Sequence, residues 1–365
     1  MCGIVGGITT EAFDQNSLLT TISHRGPDNK GFFRAGNLFL GHTRLSIQDL
    51  SDRGNQPMFS QDGKYVIIFN GEIYNHKELR EEYLSENIFI STGDTETVLQ
   101  AYIKFGVSCL NMFNGIFAFA IFNISTKEIF IARDHFGVKP LYIYSDNEFF
   151  LFGSELKSFL EFDIDSTLSY EAILNYLTFL WSPGEKTPLK KVVKLLPGSY
   201  LKFNIGDYSS VSSIKYHTGE PKGQYHQFSE DEVIDQLDRL LTKAVERQLL
   251  SDVPVGFFLS GGLDSTLLVA IAKKLHPEIK FPCFTIDVGG WESSAEGFTD
   301  DLTYAKKAAE YLDVELSIVK ADIDIVKDFD KMIWHLDEPQ ADAAPLNVLK
   351  IASLAREKGI KVLIG

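Results

Sequence analysis

The sequence predicts two domains of different class. An α+β domain with stacked antiparallel sheets flanked by helices comes first, and an α/β domain with a doubly wound parallel sheet follows. The chain has 365 residues, enough for two or three domains, and its hydrophobic content of 44% is ordinary for a protein with a good core. Short apolar segments separated by turns dominate the first half. Strand-like and helix-like segments alternate in the second half.

The apolar segments of the first half are rich in Phe, Ile, Val and Tyr. Turn-like groups separate them at spacings that suit β-hairpins, and helical segments interrupt them at 95–106 and around 170–180. This pattern predicts antiparallel sheets with flanking helices. We predict strands at 38–47, 64–75, 116–122, 128–134, 140–146 and 148–155.

A polar stretch from about 204 to 227 predicts a linker between the domains. We place the domains at 1–205 and 229–365 and the linker at 206–228. A capping box is predicted where the next helix begins, with Ser229 as N-cap and Glu232 as its partner, and with Phe228 and Val233 as a hydrophobic staple. Apolar side chains then recur on one helical face, at Val233, Leu237, Leu240, Leu241 and Ala244.

The second half alternates between strand-like and helix-like segments. We predict strands at 253–259, 281–288, 315–321 and 361–365, with helices at 265–275, 303–312 and 351–360. Such alternation is typical of a mostly parallel, doubly wound sheet. Ligands of these sheets bind beyond the carboxyl ends of the strands, which is where site residues are expected.

Charge and cysteine content exclude several classes of protein. The formal net charge of −15 argues against binding to a nucleic-acid backbone. Three widely spaced cysteines do not make a disulfide framework, and we interpret Cys109 and Cys283 as buried structural thiols. We read no signal peptide, and the most apolar stretch, 116–122, is far too short to cross a bilayer. We therefore predict a cytoplasmic protein that acts on small molecules, without nucleic-acid or membrane partners.

The chain opens with MCGIVGG, which places a cysteine directly after the initiator methionine. Removal of Met1 would leave Cys2 with a thiol and a free α-amine on the same residue. Such an amine titrates near pH 8 and a thiol near pH 8.5, so each group can hold or pass a proton near neutral pH. An N-terminal amine can therefore act as the general base for the adjacent nucleophile. Position alone favours a small residue without a catalytic role.

Five further motifs support the catalytic interpretation. With MCGIVGG they closely resemble the glutamine-hydrolysing domain of class II glutamine amidotransferases, over roughly the first 200 residues. We interpret HRGPD and ARDHFGVKPLY mainly as rigid scaffolding near the site. The motifs are HRGPD at 24–28, GHTRLSI at 41–47, FNGEIYNH at 69–76, STGDTE at 91–96 and ARDHFGVKPLY at 132–142.

The resemblance assigns roles to residues inside these motifs. Attack on the glutamine amide creates an oxyanion that needs fixed donors, and Asn70 and Gly71 are implied as that oxyanion hole. Arg44 is implied for the α-carboxylate through its bidentate fork, with Glu72 and Asp94 for the α-ammonium. Two alternatives stay open, because Asn-Gly also favours a hairpin turn and isolated charged residues are commonly surface charges or ordinary salt bridges.

The stretch FFLSGGLDSTLL at 257–268 joins a predicted strand to a predicted helix. Backbone N–H groups and the helix dipole suit an anion there, although the spacing is not that of a Walker loop. The stretch resembles the pyrophosphate-binding loop of ATP pyrophosphatases, the alternative being a glycine-rich turn without ligand. Asp264 is a candidate ligand for Mg²⁺, and the resemblance places Leu259 and Ile286 at adenine and ribose unless they are core residues. The implied ATP-binding residues are Leu259, Ser260, Gly261, Gly262, Asp264, Ser265 and Ile286.

The two halves together resemble the asparagine synthetase family. The resemblance implies an N-terminal nucleophile hydrolase fold followed by an adenine nucleotide α-hydrolase fold. It also implies that glutamine hydrolysis at Cys2 supplies ammonia, that ATP with Mg²⁺ adenylates aspartate, and that ammonia displaces AMP to give asparagine. A homodimer is a further family expectation.

Two alternatives to this function remain open. The chain could amidate another carboxylate, such as a sugar acid or a secondary-metabolite precursor. Family members normally continue past 361–365 into an acidic motif and a helical region, so we expect the ATP half to be incomplete. A glutaminase or regulatory remnant without synthetase activity is then the second alternative.

The segment WHLDEPQADAAPLN at 334–347 resembles the family's segment near the acceptor and ATP. Its acidic residues either contact Mg²⁺, ATP or acceptor, or lie in a solvated loop. These residues are Asp337, Glu338 and Asp342.

Overall fold

The computed structural model describes residues 1–208, 211–219, 228–287, 301–321, 325–340 and 344–365. The chain divides into two units. The first is Met1–Pro221 with Asp337–Ala341, and the second is Lys222–Leu336 with Asp342–Gly365. Parts of the proposed linker, and Asp342, lie outside the described residues.

The first unit contains two six-stranded antiparallel sheets. All six predicted strands are present, with ends shifted by a few residues. The strands are Gly3–Ile8 (β1), Asn29–Ala35 (β2), Leu38–Arg44 (β3), Met58–Phe59 (β4), Tyr65–Ile73 (β5), Gly115–Asn123 (β6), Glu128–Arg133 (β7), Tyr142–Ser145 (β8), Phe150–Gly153 (β9), Val192–Lys194 (β10), Ser199–Asn204 (β11) and Ile214–Lys215 (β12). One sheet has the order β10-β8-β9-β1-β3-β2 and the other β12-β11-β7-β6-β5-β4.

Helices flank these sheets, as predicted. Their bounds are Gln15–Thr21 (α1), His76–Tyr83 (α2), Asp94–Phe105 (α3) and Tyr170–Phe179 (α4), with 3₁₀ turns at Asp52–Gly54, Gly106–Asn111 and Leu156–Glu161. One buried cluster, which includes Ile4 and Leu40 of the first sheet and Ile68 and Ala120 of the second, fills the space between the sheets. Separate clusters join α3 to the second sheet and α1 to the first. The first unit is therefore a stack of helix, sheet, sheet and helix layers.

The second unit contains a parallel four-stranded sheet with the order β15-β14-β13-β16. Its strands are Val255–Phe258 (β13), Pro282–Asp287 (β14), Glu315–Lys320 (β15) and Val362–Ile364 (β16). Its helices are Glu230–Gln248 (α5), Leu263–Leu275 (α6), Asp301–Leu312 (α7), Ile325–Leu336 (α8) and Ala344–Glu357 (α9). The alternation of strands and helices confirms the predicted α/β class, and α8 is an addition to the predicted helices.

The start of α5 has the predicted capping box, in which Ser229 and Glu232 exchange hydrogen bonds. The predicted apolar face is only partly buried. Leu241 packs against the core of the second unit, whereas Val233 and Leu240 are more than half exposed. Phe228 is also more than half exposed, which differs from the burial that a hydrophobic staple requires. None of the described helices is long and apolar enough to cross a membrane.

Candidate active site

Most of the residues predicted to act on glutamine line one small cavity. Cys2 precedes β1, Arg44 ends β3, Gly71 and Glu72 lie in β5, and Asp94 begins α3. These positions are far apart in the sequence, and the two sheets and α3 bring them together. The cavity has a volume of about 40 Å³, enough to hold at least one water molecule.

Asn70 and Gly71 lie in the middle of a strand, where they pair with Ala118 and Phe117 of β6. The alternative interpretation as a hairpin turn is therefore wrong, because pairing with β6 continues to the end of β5 and overrides the local turn preference. A Cβ at Gly71 would lie 2.4 Å from the carbonyl oxygen of Ile116. The position requires glycine because the strands approach so closely.

Asn70 is a buried amide next to Gly71 in β5, and it is not among the residues that line the cavity. Its side chain is 0% exposed, and among the described residues neither its amide nitrogen nor its amide oxygen has a hydrogen-bond partner. An unpaired buried amide costs about 1–3 kcal/mol. A site that presents such a donor is suited to a negative charge that forms only during a reaction.

Cys2 is half-buried and lies against the residue that follows β3. The backbone N–H of Leu45 approaches Cys2 Sγ at 3.4 Å, and Arg25 Nε donates to the Cys2 carbonyl oxygen at 3.0 Å. Burial raises the pKa of the Cys2 thiol. A thiol that holds its proton needs a base before it can attack, which is the role predicted for the Cys2 α-amine after removal of Met1.

Glu72 and Asp94 place two carboxyl groups at the cavity. Glu72 accepts a hydrogen bond of 2.6 Å from Gln48 Nε2, and Asp94 accepts one of 2.8 Å from the backbone N–H of Ile73. Burial, together with the neighbouring Asp94 carboxylate, raises the pKa of Glu72, and burial also raises the pKa of Asp94. An incoming ammonium would relieve this cost because it supplies the missing positive charge.

Arg44 lines the cavity but is engaged with the loop that follows β3. Its Nη1 donates to the Ser51 carbonyl and to Asn55 Oδ1, both at 2.8 Å, and its Nη2 donates to the carbonyls of Gln48 and Asp49. Binding a glutamine carboxylate through both η nitrogens would require some of these bonds to break.

The two motifs interpreted as scaffolding accept hydrogen bonds from backbone N–H groups near the cavity. Asp28 Oδ2 accepts from the N–H of Ser46 at 2.8 Å. Asp134 accepts from the N–H groups of Phe117, at 3.2 Å, and Lys139, at 2.9 Å. Lys139 is buried near Cys2 and Glu72, and burial lowers its pKa. Sequence reasoning passed over Lys139 and Gln48, although both lie inside or directly beside the quoted motifs.

The glycine-rich loop at 259–265 joins β13 to α6 and includes the first residues of α6, as predicted. Gly261 has a φ of +88°, and a Cβ there would lie 2.4 Å from the Ala305 nitrogen. Among the described residues, no side chain caps the N-terminus of α6. Ser260 and Ser265 join their hydroxyl groups at 3.0 Å. These donors and the tight backbone fit the phosphates of a nucleotide.

Two residues predicted to contact the nucleotide pack against apolar clusters, Leu259 fully buried and Ile286 partly buried. Leu259 is fully buried in the apolar cluster of the second unit, and Ile286 packs against the neighbouring cluster. Contact of Leu259 with adenine would have to come from its main chain. Asp264 is exposed in the first turn of α6, and the described residues contain no cluster of three potential metal ligands.

Asp337 and Glu338 belong to the first unit and are not solvated. Asp337 Oδ1 lies 3.0 Å from Lys157 Nζ, and Glu338 Oε2 lies 2.9 Å from Lys194 Nζ. For Asp337 and Glu338 the interpretation as solvated residues is wrong, because each carboxylate pairs with a lysine. Asp342, the third acidic residue of the motif, lies outside the described residues.

Comparisons with known proteins cover the whole chain. A family model described as a glutamine amidotransferase domain matches residues 1–216, and one described as asparagine synthase matches residues 236–365. Asparagine synthetase 1 (glutamine-hydrolyzing) of Bacillus subtilis is 35% identical over 100% of this chain and 57% of its own length. A putative asparagine synthetase 2 (glutamine-hydrolyzing) of Methanocaldococcus jannaschii is 33% identical over 100% of this chain and 74% of its own length.

A relative with a different name also matches most of the chain. Amidase chyE of Penicillium rubens is 30% identical over 95% of this chain and 52% of its own length. The chain thus spans between about half and three quarters of the length of these three relatives.

Proposed function

Since the chain belongs to the asparagine synthase family with an N-terminal glutamine amidotransferase domain, we propose that it is a glutamine-dependent asparagine synthetase. Cys2 attacks the side-chain amide of glutamine, and hydrolysis of the resulting thioester releases glutamate. The ammonia set free then displaces AMP from an adenylated aspartate. The observation that carries this proposal is the convergence of Cys2, Arg44, Gly71, Glu72 and Asp94 on one cavity.

The residues of this chain support each step of glutamine hydrolysis. The Cys2 α-amine takes the thiol proton after removal of Met1 and returns it to the departing ammonia. The Asn70 amide and the Gly71 N–H stabilise the oxyanion, and donors of this kind are each worth about 10²–10³ in kcat. Glu72 and Asp94 bind the α-ammonium. Arg44 binds the α-carboxylate once some of its hydrogen bonds to the loop that follows β3 break. Free Cys2, Cys109 and Cys283 support a reducing, cytoplasmic location.

The loop at 259–265 supports use of ATP in the second half. Mg²⁺, when bound, would neutralise the charge of the leaving pyrophosphate. The amides at the start of α6 and the hydroxyls of Ser260 and Ser265 would hold the phosphates, and Asp264 would supply a carboxylate to the metal. Gly261 lets the backbone take the conformation that this arrangement requires.

Two of the three relatives are named asparagine synthetases, and these names support aspartate as the acceptor. The relative named an amidase favours amide chemistry on another carboxylate. We therefore propose aspartate as the acceptor, with a different carboxylate as the second candidate.

The test is incubation with amide-¹⁵N glutamine, aspartate, ATP and Mg²⁺, followed by mass spectrometry. The proposal predicts ¹⁵N-asparagine, together with AMP. Cys2→Ala should abolish transfer from glutamine while amidation from added ammonia survives, and Cys109→Ala, a buried thiol away from the cavity, should retain both. Labelled ammonia without asparagine would indicate another acceptor or a glutaminase alone. Untouched glutamine would contradict the role of Cys2 and favour a regulatory remnant.

A further inference from the structure

The 3₁₀ turn Leu156–Glu161 is capped by a residue that is distant in the sequence. Its first two backbone N–H groups, those of Leu156 and Lys157, donate to the carboxylate of Asp337. Glu155 occupies the N-cap position and makes no capping bond with its side chain. Since Asp337 accepts from these amides, the carboxylate of Glu155 is left for other partners.

Those partners form a chain of charges that ends at Cys2. Lys157 Nζ bridges Asp337, at 3.0 Å, and Glu155. Glu155 Oε1 accepts from Arg25 Nη1 at 2.8 Å, and Arg25 Nε donates to the Cys2 carbonyl oxygen at 3.0 Å. The four charged side chains are each at most 10% exposed. Solvent and salt therefore screen these contacts far less than they screen surface ion pairs.

We propose that Asp337 is a positioning residue for glutamine hydrolysis. It acts through Lys157, Glu155 and Arg25 to fix the main chain of Cys2, and it touches no reacting atom itself. The inference rests on the proposed function, because it concerns the geometry of the same nucleophile.

Removal of the Asp337 charge changes the competition for Glu155. Lys157 would lose a carboxylate partner and compete more strongly with Arg25 and His24 for Glu155, and the two capped amides would lose their acceptor. Both effects move the Glu155 carboxylate away from Arg25, whose other donor holds Cys2. A displacement of about 1 Å at a reacting group can reduce a rate by about 10²-fold. The effect should fall on kcat, because none of these residues lines the cavity.

Asp337 comes from a part of the sequence remote from the rest of the first unit. It follows α8 and precedes α9, which belong to the second unit. Asp337 therefore lies within residues 236–365, which the asparagine synthase model matches.

The test compares Asp337→Asn with Asp165→Asn in the full chain. Asp165 is a matched control because it also accepts from a backbone amide, that of Thr167 at 3.0 Å, and pairs with a lysine, Lys191, at 3.1 Å. Asp337→Asn should lower kcat for glutamate release by about 10- to 100-fold and change KM by less than about twofold. Asp165→Asn should leave both constants unchanged. Thermal unfolding of each variant separates these effects from loss of folded protein.

A second variant tests the series of charged contacts between Asp337 and Cys2. Because Lys157→Met interrupts the same path, the double variant with Asp337→Asn should lose no more kcat than the worse single variant. Independent, additive losses would overturn the proposal, as would wild-type kcat in Asp337→Asn or an equal loss in Asp165→Asn.

The alkylation of Cys2 by iodoacetamide, followed by peptide mass spectrometry, separates this inference from the proposed function. Absence of glutamate release by the wild-type chain would contradict the proposed function, yet alkylation would still report on Cys2. Asp337→Asn should change the alkylation rate by more than about threefold. An unchanged rate would overturn the positioning role whatever the glutaminase result.

Discussion

The cavity at Cys2 is assembled from the chain before β1, the end of β3, the middle of β5 and the start of α3. The loop at 259–265 is one continuous stretch that runs from the end of β13 into the first turn of α6. The first site therefore depends on long-range packing, since no local rule brings its parts together. The second depends on local backbone conformation, above all the positive φ of Gly261. Disturbance of the overall fold should damage the cavity at Cys2 more than the loop at 259–265. A single substitution that changes the backbone conformation, such as one at Gly261, should damage the loop.

The two sites also differ in how they treat charge. Glu72 and Asp94 are held in a buried cavity, where burial raises the pKa of both. The polar side chains of Ser260 and Asp264 are exposed, so water solvates them until a ligand arrives. The first site costs folding stability even when empty, whereas the second costs little, because glycine adopts the positive φ of Gly261 without steric strain.

The largest expected effect sharpens the claim that the first site is built for a reaction intermediate. Asn70→Ala should lower kcat for glutamate release by about 10²–10³, with little change in KM. It should not lower the melting temperature, because the Asn70 amide has no hydrogen-bond partner among the described residues. Steady-state kinetics and thermal unfolding together check both parts.

Asn75→Ala is the matched control for Asn70→Ala. Asn75 Nδ2 donates to the Met112 carbonyl at 2.9 Å, and its Oδ1 accepts from the N–H of Asn114 at 2.8 Å. Its loss should cost about 1–3 kcal/mol of stability while kcat is retained. If Asn70→Ala instead lowers stability and spares kcat, its amide is a structural group and the oxyanion role is wrong.

The sequence predicts the second site better than the first because the information is local there. Strand, glycines and helix follow one another at 255–275, and the structure places the loop between β13 and α6. The convergence of Cys2 on Glu72 and Asp94 could be expected only from resemblance, since it depends on pairing between distant strands. The Asn-Gly pair shows the same limit, because its turn preference yields to pairing with β6.

Side-chain burial and long-range ion pairs were the hardest features to predict. Leu259 lies at a strand end, yet its side chain is wholly in the core. Neither alternative for the acidic motif included lysines of the first unit as partners of Asp337 and Glu338. Periodicity indicates which face of an element is apolar, but it does not indicate which distant lysine will face a carboxylate.

A smaller effect tests the local character of the second site. Gly261→Ala should reduce ATP–pyrophosphate exchange by about 10- to 100-fold, as about 1–3 kcal/mol of backbone strain implies, and should leave glutamate release intact. Gly359→Ala is the control, because Gly359 also has a positive φ, +79°, but has open space around it. Equal exchange in the two variants would show that the close approach of Ala305 to the loop is unimportant for the ATP half.

The smallest effect concerns the stability cost of the buried carboxyl group at Glu72. Its pKa rises from 4.5 to about 8 in the folded protein, so between these pH values the folded state holds a proton that the unfolded chain has released. Stability therefore falls as the pH rises through this window. Glu72→Gln keeps an acceptor for Gln48 and removes this term, so it should raise the melting temperature at about pH 8, by about 2–4 °C for each kcal/mol regained. At about pH 5 the gain should nearly vanish, and the exposed control Glu81→Gln should show no such pH dependence. A gain that is the same at both pH values would mean that Glu72 costs stability through packing and not through its charge, and the contrast between a charged buried site and a solvated one would then fail.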